Sequence, residues 1–389
     1  MNFATELAAL ADDGLLRRRR ISGAPCAPEM VIDGRRVLAF ASNDYLGLAA
    51  DPRLIEATVQ GARQWGVGAG AAHFLGGHFE PHQQLESRLA AFLGMDKALL
   101  FSTGYMANLG IVPALVGRGD AIFADKLNHA SLIDAVRLSL ADSHRYPHLD
   151  MAALAALLAA STAKHKLILT DAVFSMDGDI APLPQLLTLS EQFDAWLVVD
   201  DAHGFGVLGP QGRGTAAHFG LPLSPRLLVM GTLGKAAGVA GAFVAGAAPV
   251  IDWVEQKART AVFTTAAPPM LAAALLESLT LIEAGDPGDV RRAHLRSLIA
   301  RLRAGLAPIC ARSGWRLLPS GTAIQPLVIG DNKTTLAVAD ALLSRDIWAP
   351  AIRPPTVPPG QARLRISLSA AHSEAQVDRL LAALAEIAT

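Results

Sequence analysis

The sequence predicts an α/β protein: a mainly parallel sheet flanked by helices, followed by a smaller α+β domain. Three observations carry this. First, short apolar runs at Ala98–Phe101, Ala121–Ala124, Leu167–Thr170, Trp196–Val199, Leu227–Met230 and Ala242–Ala245 alternate with helical stretches. Runs that are apolar throughout, rather than at every second residue, mark strands covered on both faces. Second, the texture changes after about residue 285. A helix near Val290–Leu306 leads to shorter strands around Trp315–Leu318, Ile324–Ile329 and Arg363–Leu368, with helices near Lys333–Ser344 and Ser373–Ile387. Third, 389 residues exceed what one hydrophobic core organises. The expected division is an N-terminal segment 1–45 packing with the small domain, a large domain 46–285 and a small C-terminal domain 286–389.

The composition narrows the function classes. Hydrophobic residues are 51% and charged residues 18%, as in a compact enzyme, and a net charge of −1 gives no reason to expect nucleic acid. Arg17-Arg18-Arg19-Arg20 is the one strong charge cluster, either a solvated face or a contact for an anionic substrate. Two cysteines, Cys26 and Cys310, provide no disulfide framework and suit a reducing compartment. The first residues lack a basic stretch followed by an apolar core. Met151–Ala160, too short to span a bilayer, reads as a buried helix. A cytoplasmic protein without a membrane partner is expected.

In parallel sheets chemistry sits beyond the carboxyl ends of the strands. Polar residues cluster there: Ser102-Thr103-Gly104, Asp125, Asp171 and Ser175, Asp200 with His203, and Thr232 with Lys235. Lys235 follows Gly234 just past an apolar strand, 35 residues after Asp200. Alone it reads as a lysine snorkelling at a strand end; in a dry pocket its amine becomes a nucleophile for an aldehyde. Asp200 reads either as a helix N-cap or as a carboxylate that keeps a pyridine nitrogen protonated. Together the acid and the lysine suit pyridoxal phosphate (PLP), which needs a partner for its ring nitrogen and an amine for its aldehyde.

His203 is placed to bond the ring's phenolic oxygen. A metal held by Asp200 and His203 finds no further ligand at suitable spacing, so no metal is expected. His129, in Asn128-His129-Ala130-Ser131, is either a satisfied buried histidine or an imidazole stacked on the ring and able to move protons. Ser102-Thr103-Gly104-Tyr105 opens a helix whose free N–H groups suit a phosphate. Two other phosphate motifs fail. A P-loop ending at Gly234-Lys235 would need glycine where Val229 stands and a hydroxyl where Ala236 stands. Gly66, Gly68 and Gly70 follow a helical stretch, not the strand a dinucleotide loop requires.

Read in order, Ser42-Asn43-Asp44-Tyr45-Leu46-Gly47-Leu48, Asn128-His129-Ala130-Ser131, Phe174-Ser175-Met176-Asp177-Gly178-Asp179, Asp200-Asp201-Ala202-His203-Gly204 and Gly234-Lys235 resemble the α-oxoamine synthases, a PLP-dependent family of fold type I. The resemblance covers nearly the whole chain. It implies a seven-stranded sheet in the large domain and a homodimer with its active site at the interface. It also implies roles by position. Lys235 would be the lysine joined to the cofactor and Asp200 the partner of the pyridine nitrogen. His203 and Ser175 would sit near the phenolic oxygen, with His129 stacked on the ring beside the substrate. Gly104, Tyr105 and Thr232 would hold the phosphate, and Thr264 or Thr265 would reach the phosphate of the other subunit's cofactor. Asn43 and Arg365 match positions that meet the amino-acid carboxylate; Arg17 and Thr356 match positions implicated in the acyl substrate.

The loop Ala351-Ile352-Arg353-Pro354-Pro355-Thr356-Val357-Pro358 looks most like the biotin-pathway branch, which condenses L-alanine with a pimeloyl thioester, carried by CoA or a carrier protein, with loss of CO2. Sister synthases take glycine or serine with another acyl-CoA. An aminotransferase of the same fold and a catalytically silent subunit are the remaining readings. The sequence departs from the family at Gly68-Ala69-Gly70-Ala71-Ala72-His73, where Ala69 and Ala72 replace two serines, and at Asn128, which replaces a serine.

Overall fold

The computed structural model describes residues 2–12, 15–16 and 19–388. The chain divides into two compact units: Leu48–Ser175 with Ile180–Val290, and Met1–Gly47 with Met176–Asp179 and Arg291–Thr389.

The larger unit is built on a seven-stranded sheet. Its strands lie in the order Lys97–Phe101, Ala242–Gly246, Leu227–Thr232, Ala195–Asp200, Lys166–Asp171, Ala121–Asp125, Asp142–Tyr146. All neighbours are parallel except Ala242–Gly246, which runs antiparallel to both strands beside it. The six apolar runs read from the sequence are strands here. Both sheet faces are covered: Leu167, Leu169, Val198 and Leu228 enter one core cluster, while Ile168, Leu197, Val199 and Val229 enter the other. That two-sided burial is why these strands are apolar at every position.

The seventh strand, Asp142–Tyr146, sits at the sheet edge with only Tyr146 buried. The helix Met151–Ala160 forms as expected but is not a buried one. Only Leu154 and Leu158 are fully buried, with Met151, Ala153 and Leu157 packed partly against the core; Ala152, Ala156, Ala159 and Ala160 are exposed, tolerated there because alanine has high helix propensity and little apolar surface.

The smaller unit holds two sheets. One is three-stranded, Glu29–Ile32, Arg35–Ala39 and Ile347–Trp348; the other is four-stranded, Arg316–Leu317, Ile324–Gly330, Ala362–Ser367 and Ala351–Ile352. Ile347 pairs in parallel with Leu38, which ties the N-terminal segment to the C-terminal one.

Met176–Asp179 groups with this unit, a feature that boundaries at 45 and 285 do not anticipate. The buried Arg363 guanidinium pairs with Asp177 at 2.7 Å and donates to the Met176 carbonyl. The Ser320 and Thr322 hydroxyls donate to the Gly178 carbonyl at 2.9 and 3.1 Å. Gly178 has φ +71°, and a Cβ there would lie 2.5 Å from Ser320 Oγ and from the Ile324 carbonyl. Glycine is the residue that fits. Among the described residues, no helix is long and apolar enough to cross a membrane.

Candidate active site

Asp200 ends the central strand Ala195–Asp200 and no helix follows, so the N-cap reading falls away. Its buried carboxylate accepts a hydrogen bond from Asn108 Nδ2 at 2.8 Å and one from the Ala202 N–H at 3.1 Å. Both donors are neutral amides, which leaves the anion suited to a cationic partner.

Asp201, one residue on, is committed elsewhere. Thr215 donates to it through both its N–H, at 2.7 Å, and its hydroxyl, at 2.5 Å. Burial pushes this carboxyl up to about 7. Register therefore separates two adjacent acids: Thr215 takes up Asp201, while Asp200 meets only neutral amide donors.

Lys235 stands in the turn after Leu227–Thr232. The turn is closed by the Leu233 N–H donating to the Gly241 carbonyl and the Gly238 N–H donating to the Lys235 carbonyl, both at 2.8 Å. Gly238, with φ +72°, packs so closely that a Cβ would lie 2.7 Å from the Ala49 nitrogen. The half-buried lysine is thereby aimed at His203, and a 3.0 Å hydrogen bond joins Nζ to His203 Nε2.

His129 caps the helix Ala130–Ser139, and its Nδ1 lies 2.7 Å from Ser131 Oγ. Its backbone N–H donates to Asp171 Oδ2 at 2.7 Å. Burial lowers the imidazole below its ordinary value, against the pull of Asp200. Burial and then the charge of Asp200 raise Asp171 well above the usual carboxylate range. Asn128 takes the Leu169 carbonyl at 2.8 Å and the Asp171 N–H at 3.2 Å, stitching this loop to the end of its neighbouring strand. Asp125, another acid at a strand end, is structural: it accepts from the N–H groups of Leu127 and Leu149 and contacts His148 Nδ1.

Reading the sequence alone missed Asn108. Its Nδ2 donates to both Asp200 and Ser131 Oγ, so a network runs from buried Asp200, Asn108 and Ser131 out to the exposed His129. The available signal was a fully buried polar side chain within the apolar helix Gly104–Leu115.

That helix begins as expected. Thr103 caps it by accepting from the Met106 N–H at 3.1 Å. A Cβ on Gly104 would lie 3.9 Å from Thr232 Cβ, which brings the helix start and the strand end together. Tyr105 turns its hydroxyl to Asp134, so its contribution at the helix start is its backbone N–H. Thr232 Oγ1 donates to the Gly241 carbonyl at 3.2 Å.

Ser175 is the last residue of this unit before Met176. Thr264 is half-buried; exposed Thr265 forms an isolated antiparallel bridge with Ala72, beside the Ala-for-Ser loop.

In the smaller unit, Arg365 is buried. It donates through both terminal nitrogens to Asn43 Oδ1 at 3.2 Å and to Ser367 Oγ at 2.8 Å. Tyr45 OH also donates to Asn43 Oδ1, at 3.1 Å. Thr356 lines a cavity of about 580 Å³ with Leu15, Arg20, Trp348 and Arg353. Arg17 lies outside the described residues. Arg20, the last of the arginine run, pairs with Asp33 at 3.1 Å.

The donor set fits pyridoxal phosphate. Asp200 would hold the ring nitrogen, Lys235 the aldehyde carbon, and the start of Gly104–Leu115 with Thr232 the phosphate.

The family described as aminotransferase class I and II matches residues 35–384. A curated 8-amino-7-oxononanoate synthase from Herminiimonas arsenicoxydans is 65% identical over 98% of each chain. One from Azoarcus sp. (strain BH72) is 62% identical over 97% of this chain and 94% of the relative. Among solved structures, a serine palmitoyltransferase from Sphingomonas wittichii superposes with a TM-score of 0.90 at 31% identity, covering 99% of this chain and 96% of that one. An 8-amino-7-oxononanoate synthase from Francisella tularensis superposes with a TM-score of 0.76 at 32% identity, over 90% and 97%. A further serine palmitoyltransferase structure, with a TM-score of 0.91 at 30% identity over 99% and 96%, holds PLP. The chain belongs to the aminotransferase class I and II family and, within it, to the α-oxoamine synthases.

Proposed function

We propose that this chain condenses L-alanine with a pimeloyl thioester, releasing the thiol and CO2 and giving 8-amino-7-oxononanoate for biotin biosynthesis. The observation that carries the reading is the pairing of Lys235 with His203 beside a buried Asp200 whose donors are neutral amides. It is joined to near-full-length identity with 8-amino-7-oxononanoate synthases.

Pyridoxal phosphate supplies an aldehyde for the amino acid and a protonated ring that draws electrons from its α-carbon. Asp200 would keep that ring nitrogen protonated, and Asn108 fixes the carboxylate's direction. Lys235, whose amine would hold the aldehyde, would also serve as the base for the α-proton. His203 orients Lys235 while it does so. His129, its imidazole lowered by burial and so neutral near pH 7, would offer a proton donor or acceptor beside the cofactor. Asn43 and Arg365 are assigned the amino-acid carboxylate, and Thr356 with Arg17 the acyl chain. Thr264 or Thr265 serves the partner subunit's phosphate in a cytoplasmic homodimer.

The test is thiol release from alanine, glycine or serine, each paired with pimeloyl-, acetyl- or palmitoyl-CoA. Release with alanine plus pimeloyl-CoA alone is the expected outcome. Release with another pair assigns a sister activity on the same PLP machinery.

A further inference from the structure

In the larger unit, His73, His78 and His82 lie together, with ring centroids 5.1, 5.3 and 5.8 Å apart. One ring nitrogen from each falls within 4.8 Å of the others. The backbone brings them there. His73 opens the short turn His73–Leu75, and the N–H groups of Leu75 and Gly77 both return to the Ala72 carbonyl at 2.9 Å. Gly76 has φ +94°, and a Cβ on Gly77 would lie 2.1 Å from the Ala71 carbonyl oxygen, so the loop folds back on itself only with glycines. His78 thus lands on His73, and His82 follows in the first turn of Glu80–Leu93.

We propose that His73, His78 and His82 form a binding site for a divalent d-block cation of zinc type, completed by water.

His73 Nδ1 and His78 Nδ1 are 2.8 Å apart and share one proton, which a cation would replace. His82 accepts from the Phe79 N–H at Nδ1, so its Nε2 carries the proton and donates to the Ala267 carbonyl at 2.9 Å. A ring N–H held by a backbone carbonyl is the usual support of a metal-bound histidine. Ligation through Nδ1 would displace the Phe79 N–H from that atom. Metal–nitrogen bonds near 2 Å set tetrahedral ligand nitrogens about 3.3 Å apart, so the His73–His78 pair would open from 2.8 Å while the wider separations, up to 4.8 Å, would close, both by side-chain rotation.

A cavity of about 340 Å³, lined by His73, His78, Gln83 and Glu86, leaves room for water ligands. Imidazoles select zinc-like ions over magnesium. The site would clip two segments already joined: Ala72 bridges Thr265, and the Ala266 N–H donates to the Ala71 carbonyl at 3.0 Å.

The holoprotein, stripped with a chelator, is titrated with Zn2+ and with Mg2+ by calorimetry, and its melting temperature is followed alongside. One Zn2+ per chain, no Mg2+, and a Zn2+-dependent rise in melting temperature are expected. His78→Ala and His73→Gln, both at partly exposed loop positions, each weaken Zn2+ binding at least about tenfold and lose the thermal shift. Absence of Zn2+ uptake by the native protein, or affinity unchanged in both variants, overturns the assignment.

Discussion

Lys235 is held by its turn and by His203 in one direction, so its replacement tests the chemistry more cleanly than the fold. Lys235→Ala is expected to abolish thiol release and the visible absorbance of lysine-bound cofactor; a yellow, active variant refutes its role. Asp200→Asn keeps the shape and the bond from the Ala202 N–H but loses the charge that holds a protonated ring. Turnover should fall at least about a hundredfold with PLP still bound. Asn108→Ala removes two donors from the same network, each deletion costing about 1–3 kcal/mol. Mispositioning of Asp200 should lower kcat about ten- to a hundredfold while PLP binding persists, and an unchanged kcat would separate Asn108 from the site. Asp200, His203 and Lys235 could be read from the sequence because strand ends announce themselves where an apolar run stops. Asn108 could not, because a polar residue in an apolar helix shows its value only when its partners, far away in sequence, are known.

Elements differ in the same way. The six apolar strands declare themselves because both their faces are buried. Asp142–Tyr146 hides because an edge strand with four exposed residues has the composition of a loop. The antiparallel direction of Ala242–Gly246 is also silent: a strand covered on both faces is equally apolar whichever way it runs. The segment Met176–Asp179 carries a family motif, yet most of its bonds are structural, through Asp177 to Arg363 and Gly178 to Ser320 and Thr322. Gly178→Ala adds a Cβ at positive φ against a backbone carbonyl. It should cost about 2–3 kcal/mol, read as a lower midpoint in urea at unchanged slope. An unaltered midpoint would mean that this segment does not contribute to the stability of its unit.

For the whole molecule, stability against pH carries the signature of buried acids and histidines working in opposite senses. Burial lowers His73, His82, His129 and His372, so their contribution is full above the ordinary histidine value of 6.5 and is lost as pH falls through their folded values. Asp171 and Asp201 are raised, chiefly by burial. Their contribution is full below the ordinary value of 3.8 and is lost as pH rises through the folded value, about 7 for Asp201. Asp201 isolates the second effect because an amide can also satisfy both groups of Thr215: the carbonyl accepts the N–H and the NH2 donates to the hydroxyl. Asp201→Asn removes the titration while keeping both contacts with Thr215. Its melting temperature relative to the native protein should therefore rise between pH 5 and pH 8, since only the native protein must ionise a buried acid over that range. Melting curves of both proteins at pH 5, 6.5 and 8 decide the matter. A difference that stays constant with pH would mean that Asp201 is ionised in the fold throughout, its charge held by Thr215 and the N–H groups around it rather than lost to burial.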